Sequence, residues 1–146
     1  MKYNVKIKKL SKNAFIPTYG SSSSAGADLY ACLDSPIEIK PGETEFIHTG
    51  LSLEIPEDFA GLVFARSGLS CKKDLAPANK VGVVDSDYRG EIMVALHNHG
   101  KEARTVEHGE RVAQLLIMPY VTADFIESEE LSSTKRGDGG FGSTGK

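Results

Sequence analysis

Short runs in which apolar and polar side chains alternate, separated by turn-forming residues, dominate this sequence. Val5 and Ile7 alternate with Lys6 and Lys8, which is the period of two expected of a strand with one buried face. Similar runs predict strands at 37–39, 45–55, 61–65, 81–84, 91–98, 112–118 and 123–126. Helical periodicity is limited to one or two turns after Ser67. The pattern predicts an all-β fold, a jelly-roll-like barrel or sandwich with at most one short helix.

Composition and charge narrow the class of protein. The 146 residues have a net charge of −3, and a chain of this length buries a core without needing a disulfide framework or a structural metal. Two cysteines and the lack of any run of about 18 apolar residues lead us to expect a cytoplasmic protein that does not enter a membrane. The acidic total argues against stable nucleic-acid binding. The five lysines of residues 2–12 fit a solvated strand face better than a phosphate-binding arm.

The segment 132–146 is polar and rich in glycine, so it buries too little apolar surface to offset its backbone entropy. We therefore divide the chain into a β domain, residues 1–131, and a flexible arm, residues 132–146. Residues 137–142 match G-x-G-x-x-G but lack the strand and helix of a dinucleotide site, and Ser143 stands where a Walker A motif has lysine. Arg136 and the glycine N–H groups suit an anion, and Phe141 suits a ligand ring. A tail with an incidental aromatic residue is the alternative.

Two internal segments combine groups that bind anions or activate water. Arg66, Ser67 and Gly68 follow the predicted strand 61–65 and form an anion site, unless Ser67 only caps a short helix. Asp85 and Asp87 lie near the tip of a predicted hairpin between strands 81–84 and 91–98. They are turn formers, or one of them is a general base beside a phosphate site.

Other polar residues carry weaker signals. Asp28 alone indicates a turn or a cap. His97 and His99 lie two apart on a predicted strand, as a metal-binding pair does, but the sequence offers no third ligand. Cys32 and Cys71 have no CxxC spacing or nearby histidine, so we assign them no reactive role.

Five of these segments occur in an order that resembles the five motifs of the trimeric dUTP diphosphatase (dUTPase) family. They are AGADLYA (25–31), ARSGLS (65–70), GVVDSDYRG (82–90), GERVAQLLI (109–117) and RGDGGFGSTG (136–145). The resemblance implies a β jelly roll, a homotrimer, and hydrolysis of dUTP to dUMP and pyrophosphate with Mg²⁺. The alternatives are a dCTP deaminase of the same fold and a nucleotide-binding jelly-roll protein without catalysis.

The resemblance also assigns roles to matching residues. It makes Asp85 the general base that deprotonates water for attack on the α-phosphorus, and Asp28 the residue that orders the water shell of Mg²⁺. The uracil and deoxyribose are assigned to Asn79, Gly82 and Tyr88. The phosphates are assigned to Arg66, Ser67, Gly68 and Gln114. The arm residues are Arg136, Phe141, Gly142, Ser143 and Thr144, with Phe141 stacked on uracil and the others closing on the γ-phosphate.

In that family each active site takes its motifs from different subunits: the first, second and fourth from one, the third from another, the fifth from the remaining one. The resemblance therefore implies that every site needs the trimer. One departure is Ala65, which stands where the family commonly has proline before Arg-Ser-Gly. Lys80, directly after Asn79, has no role that the resemblance assigns.

Overall fold

The structure, a computed structural model, describes residues 3–141 and consists mainly of strands. In chain order the elements are β1 (Lys6–Lys9), β2 (Thr18–Tyr19), β3 (Ala27–Tyr30), β4 (Ile37–Ile39), β5 (Thr44–Glu54), β6 (Phe59–Phe64), α1 (Ser67–Lys73), β7 (Leu75–Pro77), β8 (Val81–Val84), β9 (Glu91–Asn98), β10 (Arg104–Val106) and β11 (Arg111–Pro119). The predicted all-β fold with one short helix is confirmed for the described residues.

Antiparallel sheets enclose the core. One sheet has the strand order β1-β5-β9-β7, a second has the order β2-β3-β11-β6-β8, and β4 pairs with β10. Alternate side chains of both larger sheets enter one apolar cluster, in which Leu29, Ile47, Leu96 and Val112 are almost completely buried. This is the period-two arrangement of strands that turn one face to a shared core.

The alternating pattern predicted the longer strands correctly, since β5, β6, β9 and β11 overlap the predicted runs. It missed β2, β3, β7 and β10, which have between two and four residues each. The strand predicted at 123–126 is wrong for the single chain, where residues 120–141 contain only turns, bends and irregular backbone. A strand requires a neighbour to satisfy its backbone groups, and no strand between residues 3 and 141 pairs with this segment.

The hairpin predicted between the strands 81–84 and 91–98 is also wrong. β8 pairs with β6 in the five-stranded sheet, whereas β9 pairs with β5 and β7 in the four-stranded sheet. The turn between them therefore passes from one sheet to the other. Because β8 is an edge strand, its outer backbone groups face a cleft instead of a neighbouring strand.

Helix α1 is short and begins without a side-chain cap. Arg66 occupies the N-cap position in an extended conformation, so the alternative in which Ser67 caps the helix is wrong. Asp74 ends the helix with a left-handed φ of 58°, and Lys72 and Lys73 lie in the last turn, where positive charge is favourable. No helix between residues 3 and 141 is long and apolar enough to cross a membrane.

Candidate active site

The register of the five-stranded sheet brings four distant sequence segments to one end of the molecule. Gln114 on β11 lies opposite Asp28 on β3 and, on its other side, opposite Phe64 on β6. Phe64 in turn lies opposite Val81 on β8. Since Ala65 and Arg66 directly follow Phe64, the row ends in the predicted anion-binding segment.

A cleft of about 740 Å³ opens at this row, and we call it the anion cleft. Four of its lining residues were predicted to bind phosphates, and Asp28 was predicted to act with a metal. The lining residues are Gly20, Ser24, Ala25, Gly26, Asp28, Phe64, Ala65, Arg66, Ser67, Gly68, Lys80, Arg111, Gln114 and Leu116. Three cations against one carboxylate make the lining suitable for a polyanion.

Asp28 fixes the orientation of Arg66. Its Oδ1 accepts a hydrogen bond from Arg66 Nε at 2.7 Å, and the two side chains are only 13% and 25% exposed. Arg111 Nη1 donates to Oδ2 of the same carboxylate at 3.4 Å. Asp28 is therefore an ion-pair partner of two arginines. The interpretation of Asp28 as a turn former or a helix cap did not predict these ion pairs.

Gln114 is held by the backbone beside Arg66. Its Nε2 donates to the carbonyl oxygen of Ala65 at 2.8 Å, which fixes the position of the side-chain amide in the cleft. A Cβ on Gly26 would lie 2.5 Å from Gln114 Oε1, so only glycine leaves room for this arrangement.

Sequence reasoning missed Arg111 because of a β-bulge. The register of β11 against β3 shifts between Arg111 and Ala113, and Val112 and Ala113 are both buried. The bulge places Arg111 and Gln114 in one cleft, although strict alternation puts odd and even positions on opposite faces. The sequence signal that could have indicated the bulge is the pair of successive apolar residues Val112 and Ala113.

A second cleft, of about 220 Å³, lies between β8 and β9 and is called the β8–β9 cleft below. Its lining includes the predicted residues Asn79, Gly82 and Tyr88, together with Phe46 and Met93, which the sequence did not indicate. A Cβ on Gly82 would lie 3.2 Å from Asn79 Nδ2 and 3.3 Å from Val63 Cβ. Glycine thus keeps the backbone of β8 accessible from the cleft.

Two side chains anchor the turn between β8 and β9, one from the turn itself and one from β5. Tyr88 donates from its hydroxyl to the carbonyl oxygen of Glu91 at 3.1 Å, and Ser52 donates to that of Arg89 at 2.7 Å. A Cβ on Gly90 would collide with the Tyr88 hydroxyl. The ring of Tyr88 is therefore packed on the turn beside the cleft.

Asp85 directly follows β8 and is exposed to solvent. Its carbonyl oxygen accepts the Tyr88 N–H at 3.2 Å, which closes the turn through the backbone. Within residues 3–141 its carboxylate makes no hydrogen bond or ion pair, so the side chain is not the turn former that one interpretation predicted. The carboxylate is available to accept a proton from water.

Among residues 3–141, none lines both clefts. Arg136 bonds locally, donating from Nε to the carbonyl oxygen of Gly139 at 2.8 Å, and Phe141 is fully exposed. Neither residue lines one of these two clefts. Gly142, Ser143 and Thr144 lie outside the described residues.

The weaker signals gave no compact metal site. The rings of His97 and His99 are 4.4 Å apart, but between residues 3 and 141 no group of three or more His, Cys, Asp or Glu side chains is arranged to hold an ion. Cys32 and Cys71 are free thiols.

Comparison with known proteins identifies the family of this chain. The sequence profile of the dUTPase family matches residues 12–145. A deoxyuridine 5'-triphosphate nucleotidohydrolase of Acinetobacter baumannii is 47% identical, with 100% of this chain and 99% of the relative covered. The enzyme of the same name from Serratia proteamaculans is 45% identical, over 99% and 97%. The dUTPase of Staphylococcus bacteriophage 80alpha with dUPNHPP superimposes with a TM-score of 0.91 at 29% identity, over 99% of this chain and 100% of that one. The chain therefore belongs to the dUTPase family.

Proposed function

We propose that this chain hydrolyses dUTP to dUMP and pyrophosphate. The observation that carries the proposal is the sheet register that gathers Asp28, Gln114 and Arg66 from three motifs at one cationic cleft. The names of the Acinetobacter and Serratia relatives support the same activity. Neither a dCTP deaminase nor a binding protein without catalysis has comparable support.

In the proposed reaction water attacks the α-phosphorus. Asp85 accepts the proton of the water, the bond from the α-phosphorus to the bridging oxygen breaks, and pyrophosphate leaves with the electron pair. Positioning and charge stabilisation dominate phosphoryl transfer, so the protein mainly needs fixed donors and cations. Arg66, Ser67, Gly68 and Gln114 supply them in the anion cleft.

We place the uracil and deoxyribose in the β8–β9 cleft. The outer edge of β8 offers backbone donors and acceptors to the base, Asn79 adds an amide, and Tyr88 packs against the sugar. At about 220 Å³ this cleft is smaller than the roughly 300–1,000 Å³ of typical ligand sites, which suits part of a nucleotide only. An apolar contact with a methyl group is worth only about 1–3 kcal/mol, so rejection of thymine requires steric exclusion by the backbone.

We propose that Mg²⁺ is carried by the phosphates. Mg²⁺ keeps several waters and takes few protein ligands, which fits a cleft that has one carboxylate. Both oxygens of Asp28 already accept hydrogen bonds from arginines. A carboxylate accepts about four hydrogen bonds, so Asp28 retains capacity for water molecules bound to the metal. When bound, the ion neutralises charge that develops on the phosphate oxygens.

We further propose a homotrimer with shared active sites. A nucleotide needs both clefts, yet in the described part of one chain the two clefts have no residue in common. Segment 120–131 also exposes Val121, Phe125, Ile126 and Leu131, each more than 85% accessible, as an interface does before it forms. The division into residues 1–131 and an arm 132–146 belongs to this proposal, with Arg136, Phe141, Gly142, Ser143 and Thr144 closing on a neighbour's nucleotide.

We also propose that the protein is cytoplasmic, which the two free thiols support.

A substrate panel tests the activity. We expect pyrophosphate from dUTP in the presence of Mg²⁺, and little from dTTP, dCTP or UTP. Ammonia released from dCTP would show that the protein is a deaminase. Asp85→Asn should lower kcat by about 10²- to 10⁴-fold, the usual contribution of a general base. If Asp85→Asn hydrolyses dUTP at the parent rate, the assignment of the base is wrong.

Mixed trimers test the sharing of sites. Asp85→Asn and Arg66→Gln should each be nearly inactive alone. If one subunit supplies Asp85 and another supplies Arg66, refolding the two variants together restores activity, because some sites receive both intact residues. No recovery in a mixture that has formed trimers would contradict the shared site.

Removal of residues 136–146 tests the arm. We expect the truncated chain to remain trimeric and to lose most turnover. Dissociation of the truncated protein in sedimentation would show that the arm serves assembly instead.

A further inference from the structure

Lys80 belongs to the anion cleft, although it lies on the segment that lines the other cleft. Its neighbour Asn79 lines the β8–β9 cleft, whereas Lys80 lines the anion cleft with Arg66 and Gln114. Lys80 has a left-handed φ of 65°, and its N–H donates to the carbonyl oxygen of Pro77 at 3.0 Å. This turn separates the directions of two successive side chains.

The sheet register explains why Lys80 reaches the cleft. Val81 is paired with Phe64, and Phe64 is paired with Gln114. Lys80 directly precedes Val81, and Arg66 follows Phe64 by two positions. Because Val81 and Phe64 are paired in antiparallel strands, Lys80 and Arg66 lie at the same end of the sheet.

The charges in the cleft make Lys80 different from the two arginines. Arg66 and Arg111 both donate to Asp28, whose carboxylate offsets part of their charge. Lys80 forms no ion pair with a carboxylate in the described part of the chain. It is thus the lining cation whose charge is not shared with Asp28.

We propose that Lys80 binds the phosphate chain of the nucleotide held in the anion cleft of its own subunit. This inference rests on the proposed function and on the shared site. Asn79 of the same turn then contacts the base of a different nucleotide, the one whose phosphates lie in a neighbour's cleft. Each turn at 79–80 serves two active sites.

Substitution of Lys80 tests the phosphate contact. A hydrogen bond to a charged group predicts that Lys80→Gln raises KM for dUTP about tenfold, changes kcat less, and weakens the salt dependence of kcat/KM. Lys80→Arg should retain most of the affinity. Lys72→Gln, at an exposed lysine of α1 outside the cleft, is the matched control. Binding of dUMP should weaken less than binding of a non-hydrolysable imido analogue of dUTP.

Mixed trimers decide which nucleotide Lys80 contacts. In a mixture of Asp85→Asn and Arg66→Gln chains, a site that can hydrolyse dUTP needs an intact Arg66. Its anion cleft therefore comes from the Asp85→Asn chain, and its intact Asp85 comes from the Arg66→Gln chain. Lys80→Gln should therefore raise KM when added to the Asp85→Asn chain and have no effect when added to the Arg66→Gln chain. The reverse result, or an unchanged KM in both mixtures and in the uniform variant, overturns the proposal.

The parent protein separates this failure from that of the proposed function. If the parent hydrolyses dUTP and Lys80→Gln does so with the same KM, only the role of Lys80 is wrong. If the parent binds the imido analogue without hydrolysing dUTP, weaker binding of that analogue by Lys80→Gln supports the phosphate contact, and equal binding overturns it. If the parent does neither, both proposals fail.

Discussion

Asp28 and Arg66 form the shortest ion pair of the anion cleft, with Nε and Oδ1 2.7 Å apart on side chains that are mostly buried. The pair joins β3 to the segment between β6 and α1, which are 38 residues apart in sequence. A guanidinium fixed in this way needs little reorganisation when a phosphate arrives.

Asp28→Asn should therefore lower kcat/KM. Loss of a charge-assisted hydrogen bond worth about 1.5–3 kcal/mol corresponds to roughly a 10- to 100-fold decrease. The Mg²⁺ dependence distinguishes two roles of this carboxylate. Recovery of the variant at high Mg²⁺ indicates ordering of the metal's water shell, whereas a deficit that Mg²⁺ leaves unchanged indicates orientation of Arg66.

Gly26→Ala should displace Gln114. The added methyl would lie 2.5 Å from Oε1 and 3.1 Å from Cβ of Gln114, which breaks the hydrogen bond to Ala65. We expect a lower kcat/KM and a loss of about 1–3 kcal/mol of unfolding free energy from overpacking. Gly20→Ala is the control for stability in urea denaturation, because its nearest contact is an ordinary 3.7 Å.

Asn98→Ala should destabilise the fold without acting on the clefts. Asn98 is 0% exposed, and its Nδ2 donates to the carbonyl oxygens of Ile39 and Glu102 at 2.8 Å each. Leaving the carbonyl group of the fully buried Ile39 without its donor costs about 1–3 kcal/mol. Urea denaturation measures this loss against the exposed control Asn13→Ala, and equal stability of the two variants would contradict the expectation.

The exposed apolar side chains of segment 120–131 should support assembly. We expect the double variant Phe125→Ser and Ile126→Ser to weaken the proposed trimer, since it removes two apolar side chains that are 97% and 87% exposed in the single chain. Glu127→Ser is the control on the same segment. Sedimentation gives the mass, and an unchanged trimer in the double variant would place the interface elsewhere.

Acid should weaken the fold slightly through His99. Desolvation, followed by the charges of His97 and Lys80, lowers the pKa of the exposed His99 below its ordinary value, against an opposing effect of Asp74. The unfolded chain then binds more protons than the folded chain as pH falls through the ordinary value near 6.5. The free energy of unfolding should therefore fall less for His99→Gln than for the parent when the pH is lowered through this range, as urea denaturation at several pH values measures. NMR titration should also show that Lys80→Gln raises the pKa of His99.

Much of the fold followed from local patterns. Strand-like runs predicted β5, β6, β9 and β11, because each is long enough to stand out between turn-forming residues. β3 was missed, although its buried Ala27 and Leu29 alternate with Asp28 and Tyr30, because four residues span only two periods of the pattern. Positions 123–126 alternate like a strand, but no strand between residues 3 and 141 pairs with them.

The residues of the candidate site likewise fall into those that the sequence predicted and those that only the structure revealed. Arg66, Ser67, Gly68 and Gln114 were predicted from motifs, and the structure places all of them in one cleft. Arg111 and Lys80 were not assigned, because their positions depend on a bulge and on a left-handed turn that single-residue patterns do not reveal.

Local sequence was enough to establish that this chain is built of strands, which segments carry its chemistry, and which family it resembles, because alternation and motif order are properties of neighbouring residues. The assignment of β8 and β9 to different sheets, and the separation of the two clefts within one chain, emerged only from the folded molecule. Strand pairing and register join residues that are far apart in sequence, and they are fixed by how the whole core packs.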